Sequence, residues 1–245
     1  MKNNPDLNKE FVPLYHQLKE TIREEIDSGN WRPNDKIPSE HQFMEKYQVS
    51  RNTVQKAVDD LVHEGLIYRQ QGRGTFVAQP KVEQSLTSFY IFSKVMKDKG
   101  LNPYDIILDI DEVTPKKSVA KQLQIDTEEK VIQLVRVRCA NNEPLIFETT
   151  FLPKKIVPHL TKEDVEKNTL FTFMEQKYNI SVVSSKEVFE PVLIRDYESK
   201  HLDVKPGMPG LLLDRVDYDL DKRPVSYLRS IVRGDRCRFY TELIK

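Results

Sequence analysis

The chain has 245 residues, enough for two domains, with 38% hydrophobic and 31% charged side chains and a formal net charge of zero. No apolar run approaches the roughly 18 residues of a membrane span, and the opening MKNNPDLNKEF has no apolar signal region. A cytoplasmic protein with no membrane partner is therefore expected. Cys139 and Cys237 are the two cysteines, and the five histidines are scattered. Neither set has metal-ligand or disulfide-framework spacing, so no metal and no cofactor is expected.

Residues 1–10 are polar and expected to fray. Pro13 suits the first turn of a helix, and Leu14, Leu18, Ile22 and Ile26 recur every four residues as a buried stripe. Gly29 ends that helix. Trp31 lies in the following loop, as a packing residue. Residues 38–76 then predict two short helices, a tight turn between them, and a β-hairpin. Ser39 with Gln42 three residues later makes a capping box. Phe43, Met44 and Tyr47 form the apolar side of the first helix, and Gln48-Val49 is the turn. Ser50 caps the second helix, whose Val54, Ala57, Val58, Leu61 and Val62 follow the spacing of a helix packed on a core. Gln71-Gly72-Arg73-Gly74 is a turn that needs glycine torsions, with Arg69 and Arg73 on the hairpin.

This pattern offers a nucleic-acid reading surface. Arg51 sits on the first turn of the second helix, while Asp59, Asp60 and Glu64 crowd its far end, so phosphate is favoured at the N-terminal end. A helix-turn-helix reads bases with the first residues of its second helix, which here are Ser50, Arg51, Asn52 and Thr53. Composition does not support the same conclusion. Residues 1–80 hold 11 Lys and Arg against 12 Asp and Glu, so only the local arrangement of Lys46, Arg51, Lys56, Arg69 and Arg73 does.

Residues 79–86, QPKVEQSL, read as a linker, with Pro80 breaking the periodicity. A helix is expected from Leu86 to Lys99, a strand over 104–113, and a helix from Thr114-Pro115 to about Gln124. Residues 131–140 and 144–152 form a hairpin around Asn141-Asn142-Glu143. Arg136 and Arg138 share one face of its first strand. Two adjacent guanidinium groups repel unless an anion sits between them. They are a clamp for phosphate or carboxylate, or else solvated arginines or partners of the protein's own carboxylates. Thr161 with Asp164 marks a helix start, and Asn168-Thr169 caps a longer helix to Tyr178, a second anion donor or a routine cap. A strand over 180–190, a short helix over 195–202, and strands near 211–219, 224–233 and 236–243 complete an α+β half with a largely antiparallel sheet. Arg233-Gly234-Asp235 is read as a hairpin turn rather than an adhesion signal.

Residues 13–78 resemble the winged-helix domain of the GntR family of bacterial transcription regulators. The resemblance rests on Pro13-Leu14-Tyr15, Ile37-Pro38-Ser39-Glu40, Val49-Ser50-Arg51-Asn52-Thr53-Val54, Glu64-Gly65-Leu66-Ile67 and Gln71-Gly72-Arg73-Gly74-Thr75-Phe76-Val77. It implies DNA contacts by position 41, Arg51 and Gly72. The full expected DNA-binding set is Ser39, His41, Ser50, Arg51, Asn52, Thr53, Lys56, Gln71, Gly72 and Arg73. Many members carry Arg where this chain has His41 and Gln55, which bears on the operator sequence and not on the binding mode.

The remainder, residues 86–245, resembles the UTRA effector-binding domain of the HutC subfamily. Leu86-Thr87-Ser88-Phe89, Arg136-Val137-Arg138, Glu148-Thr149-Thr150, Asn168-Thr169-Leu170-Phe171 and Arg233-Gly234-Asp235-Arg236 carry that match. The resemblance implies a multi-domain chain: a winged helix-turn-helix over 1–78, a linker over 79–86, and a chorismate-lyase-like α+β domain over 87–245. That second domain dimerises and binds a small anionic metabolite, often a sugar phosphate. Arg136 and Arg138 would hold the phosphate with Ser88 and Thr169, and Glu148 would accept from sugar hydroxyls. Phe89, Phe171 and Ser226 complete the expected effector-binding set. Amino-sugar-phosphate binders tend to have Tyr at the position of Phe171, and often Glu and Tyr at those of Ser226 and Val232. The expected function is a homodimeric repressor of a carbohydrate-utilisation operon on a palindromic operator. The alternative is a small-molecule enzyme on the same scaffold, but residues 86–245 contain no G-x-S-x-G, no phosphate-binding glycine loop and no metal set.

Overall fold

The computed structural model describes residues 11–86 and 92–243. The chain divides into two compact units near residue 82, the first also taking in Gly234–Arg236. In the first unit, helices α1 (Leu14–Asp27), α2 (Glu40–Tyr47) and α3 (Arg51–His63) precede a hairpin of β1 (Ile67–Gln70) and β2 (Gly74–Val77). The Ser39–Gln42 capping box forms as the spacing requires. Ser50 Oγ accepts from the Thr53 N–H at 3.2 Å at the start of α3. Between the two helices Gln48 takes the left-handed conformation, φ 53°, which turns the chain sharply enough for Val49 to plug the core.

That core is Leu18, Ile22, Phe43, Val54, Ala57, Leu61 and Ile67 with smaller neighbours, and Trp31 packs against it. The expected stripe on α1 is shorter than its periodicity suggests. Leu14 is 44% exposed, because the first turn of α1 lies outside the cluster that Leu18 and Ile22 enter. In the hairpin, Gly74 has φ +124° and a side chain there would meet Lys36 Cε at 2.6 Å. The torsion requires glycine, whereas the flexible end of Lys36 could move aside.

The second unit is built on six antiparallel strands in the order β4-β5-β6-β9-β8-β7. These are β4 (Pro103–Val113), β5 (Val131–Ala140), β6 (Glu143–Pro153), β7 (Ser184–Leu193), β8 (Pro209–Tyr218) and β9 (Pro224–Arg233). The β5–β6 turn uses Asn141 and Asn142 at φ 49° and 65°, the left-handed pair that a two-residue hairpin needs. Helices α4 (Phe92–Asp98), α5 (Lys117–Leu123), α6 (Lys162–Lys167), α7 (Leu170–Tyr178) and α8 (Asp196–Leu202) accompany the sheet. Residues of α6 and α7 join Ile132, Leu134 and Leu152 in one core cluster. Residues of α5 and α8 join two other clusters with sheet residues of the opposite parity, such as Val135, Val137 and Val216.

Three expectations change. Within the expected linker, Val82–Ser85 is a strand, β3, paired with β10 (Cys237–Tyr240). Its Val82 and Gln84 are buried, a two-residue alternation too short to stand out beside Pro80. The strand expected from Ile180 begins at Ser184 instead, because Ile180 and Val182 pack into the α6–α7 cluster. Of the helix expected over 86–99, the described part is Phe92–Asp98, and residues 87–91 lie outside the described residues. The Arg-Gly-Asp segment is a turn with Arg233 and Asp235 buried.

Leu61 is fully buried, so Leu61→Ala is expected to destabilise the first unit by about 2–5 kcal/mol through lost burial and a residual cavity. Chemical denaturation measures this, and a change below about 1 kcal/mol would mean that the core closes over the gap.

Candidate functional site

The antiparallel register places the β5 arginines against acids on both neighbouring strands. Arg136 stands opposite Glu148 on β6, and Arg138 opposite Asp105 on β4. Arg136 Nε donates to Glu148 Oε1 at 2.8 Å, its Nη2 donates to the same oxygen, and its Nη1 donates to Asp105 Oδ2 at 2.9 Å. Arg138 is held more loosely, 3.3 Å from Asp105 and 3.6 Å from Glu148, with Phe92 beneath it at 4.5 Å. Thr150 and Ser230 hydroxyls also donate to Glu148. Burial alone would raise the Glu148 carboxyl. The charges of Arg136 and Arg138, with these hydrogen bonds, instead bring it down to about 2.

Phe92, Arg136, Arg138, Glu148, Thr150 and Ser230 line an inner cavity closed by Thr169, Leu170 and Phe171 at the start of α7. Its free volume is about 30 Å³, room for one or two waters and not for a metabolite. An outer depression of about 270 Å³ shares Phe92, Arg138 and Thr169 with it, so Arg138 and Thr169 stand at the neck. Thr169 caps α7, its Oγ1 accepting from the Thr172 N–H at 3.2 Å, and the first-turn N–H groups of that helix make its start an anion-binding end.

The arginine pair therefore faces protein carboxylates, the arrangement kept open in the sequence reading. Glu148 is committed to Arg136 rather than waiting for a hydroxyl. Ser226 lines the cavity and is fully buried, with its hydroxyl donated to Asp217 at 2.5 Å. Phe171 lines the cavity as expected. Ser88 and Phe89 lie outside the described residues. The sequence reading missed Asp105, Thr150, Arg215 and Ser230. Arg215 had a signal: in the strand LLLDRVDY it sits two residues before Asp217, on the same face, a charge pair following an apolar run.

In the first unit the expected DNA-contacting residues form an exposed ridge. Ser39, His41, Ser50, Arg51, Asn52, Lys56, Gln71, Gly72 and Arg73 are exposed and Thr53 is half-buried. Glu40, on the first turn of α2, gathers this surface: its carboxylate lies 3.7 Å from Arg51 and 3.9 Å from Arg69, and accepts from Gln55 at 3.3 Å. Arg51 remains 71% exposed at its side chain, at the positive end of α3. Arg69 is tied to Asp59 at 2.5 Å, so it braces the hairpin against α3. The Lys56 ammonium rests 3.7 Å over the Tyr15 ring, an ordinary cation–π contact that reaching a phosphate would break. His41 is 3.5 Å from Glu45 and adds charge to the ridge only when protonated.

Comparison with known proteins agrees with this division. Residues 14–77 match the family model described as bacterial regulatory proteins, gntR family, and residues 98–238 match the UTRA domain. The chain is 31% identical over 235 residues to the HTH-type transcriptional repressor NagR of Bacillus subtilis, covering 96% of both chains. It is 28% identical to the mannosyl-D-glycerate transport/metabolism system repressor MngR of Escherichia coli, over 93% of this chain and 94% of that one. Among solved structures, PhnF from Mycobacterium smegmatis superposes with a TM-score of 0.63 at 26% identity, over 92% of this chain and 98% of that one. The gntR family and the two named repressors are transcription regulators, not enzymes. Among the described residues no helix is long and apolar enough to cross a membrane.

Because the folded-state value for Glu148 is depressed from 4.5 to about 2, its contribution is present above about pH 4.5 and is lost as the pH falls towards 2. Wild type is expected to exceed Glu148→Gln in stability near neutral pH, and the gap to shrink by on the order of 3 kcal/mol across that window. Denaturant titrations at stepped pH measure it. A gap independent of pH would show that Glu148 is not held as an anion.

Proposed function

The chain belongs to the GntR family of bacterial regulatory proteins, with the UTRA domain of the HutC type, and from that we propose a homodimeric repressor of a carbohydrate-utilisation operon, acting in the cytoplasm. Two copies of the winged unit would occupy the half-sites of a palindromic operator, with α3 in the major groove. Arg51 and Asn52 would read base edges. Ser39, Ser50, Gln71, Gly72 and Arg73 would contact the backbone or the groove rim. A phosphorylated sugar or similar small anion would bind the second unit and release the operator.

The observation that carries this reading is the buried Arg136 and the half-buried Arg138 meeting the start of α7 at one cavity. Charge-assisted forks of this kind suit a phosphate dianion. The cavity is filled by the protein's own ion pairs, so an effector would have to displace carboxylates as it enters. Arg138, the looser of the two and at the neck, is the side chain that would turn to meet it first. This competition makes the ligand-bound and ligand-free arrangements distinct states. Regulation then needs only that the effector prefer the one that binds DNA poorly. The relative named for mannosyl-D-glycerate transport and metabolism favours a sugar-derived effector here too.

Arg51→Ala is expected to abolish gel-shift binding to the operator while sedimentation still shows a dimer. Unchanged DNA affinity would remove the main contact. Raising salt from about 50 to about 200 mM should weaken operator binding steeply, since each phosphate contact releases counterions, whereas a flat response would argue against phosphate contacts. Arg136→Ala should weaken a phosphorylated effector by roughly 1.5–3 kcal/mol, the range of a hydrogen bond to a charged group. Equal calorimetric affinity in that variant would place the effector elsewhere.

A further inference from the structure

The inner cavity has a third cation, itself buried, that the phosphate reading leaves unused. Arg215, on β8, is 3% exposed and lines the cavity beside Phe171, Leu213, Ser226 and Leu228. Its Nε donates to Asp217 at 2.5 Å, its Nη1 donates to Glu187 at 3.3 Å, and the Phe171 ring lies 5.5 Å from the guanidinium. Asp217 is in turn held by the Ser185 and Ser226 hydroxyls. Neither Asp217 nor Glu187 lines the cavity, so a molecule inside it meets the guanidinium and the Ser226 hydroxyl, not the acids that hold them.

This arrangement repeats the one around Arg136, where a guanidinium is also gripped by two carboxylates from neighbouring strand positions. A buried ion pair is seldom the most stable filling for such a place. Apolar side chains of similar volume commonly do as well or better, and Leu213 and Leu228 already make the wall around Arg215 apolar. Strand β8 stands three places from β5 in the sheet, which puts about 14 Å between their backbones. Side-chain reach shortens the gap between the two cationic ends. We infer that the cavity, opened as the effector displaces its ion pairs, reads that effector at both ends, with Arg136 and Arg138 taking the phosphate and Arg215 with Ser226 taking a second acidic group at the opposite end. The effector class is then a phosphorylated sugar derivative that also bears a terminal carboxylate. The inference rests on the phosphate reading for its first end only.

Three open-chain probes separate the two ends in calorimetry on the full-length chain. 6-Phosphogluconate carries both acidic groups, sorbitol 6-phosphate has an alcohol in place of the carboxylate, and gluconate lacks the phosphate. Wild type should bind 6-phosphogluconate at least tenfold tighter than sorbitol 6-phosphate. The paired change Arg215→Gln with Asp217→Asn removes the cation without stranding a buried carboxylate, and should bring that ratio within threefold. A wild-type ratio under threefold, a ratio retained in the paired variant, or binding of neither phosphorylated probe by wild type would overturn the inference. Failure of the phosphate reading has a different signature: gluconate would bind as tightly as 6-phosphogluconate, and Arg136→Gln would change neither.

Discussion

The Arg136–Glu148 ion pair in the middle of the six-stranded sheet is the constraint on which the second unit depends. Both side chains are buried, and each alone would be an uncompensated charge in an apolar surround, a cost of several kcal/mol. They meet because β5 and β6 are antiparallel in one register from Val131 to Arg138. A slip of one residue would send every side chain of that stretch to the opposite face. The two left-handed asparagines at the hairpin turn and the one-residue shift between Arg138 and Cys139 together set that register. Turn chemistry, register and buried charge thus specify one another.

The same ion pair sets the character of the cavity. A site lined by free arginines would bind any small anion that diffuses in. Here Glu148 and Asp105 already hold Arg136, and the remaining space is close to nothing. The effector proposed above would have to outcompete two carboxylates, which would favour dianions with directional acceptors over singly charged metabolites. The cost of displacing them would also separate the two states that such a regulator needs.

The DNA-facing ridge follows a different plan. The first eighty residues carry slightly more acid than base, so attraction to nucleic acid is local. On the proposed reading it would come from the start of α3, the exposed Arg51, and the arginine on the hairpin tip. Glu40 lies within 4 Å of both Arg51 and Arg69 and so draws the arginines of α3 and β1 together. Side chains ordered in this way would lose less entropy on binding, which would offset part of the low overall charge.

Much of the architecture was legible from the residues alone, because it rests on local physics. Capping serines, the four-residue spacing on α1, the asparagine turn and the glycines of the hairpin act within a few residues of themselves. They set nearly every element of the first unit and most strands of the second. The exposed ridge was equally readable, since Ser50 to Thr53 need only a helix end and solvent. What could not be read was the partner of each buried charge. Arg136 and Arg138 are visible as a pair on one strand, but Asp105 lies about thirty residues before them, and Glu187 reaches Arg215 from another strand, joining Asp217 two residues along β8. Strand order decides those meetings, and strand order follows from how apolar faces close on helices across the whole unit. The strand inside the expected linker was hidden for the same reason, since four residues alternate meaningfully only once a distant strand pairs with them. Sequence alone determined which residues could bear charge towards a ligand or a duplex. Only the tertiary structure decided which were already answered by the protein itself, because electrostatic partners are chosen by distance in space and not along the chain.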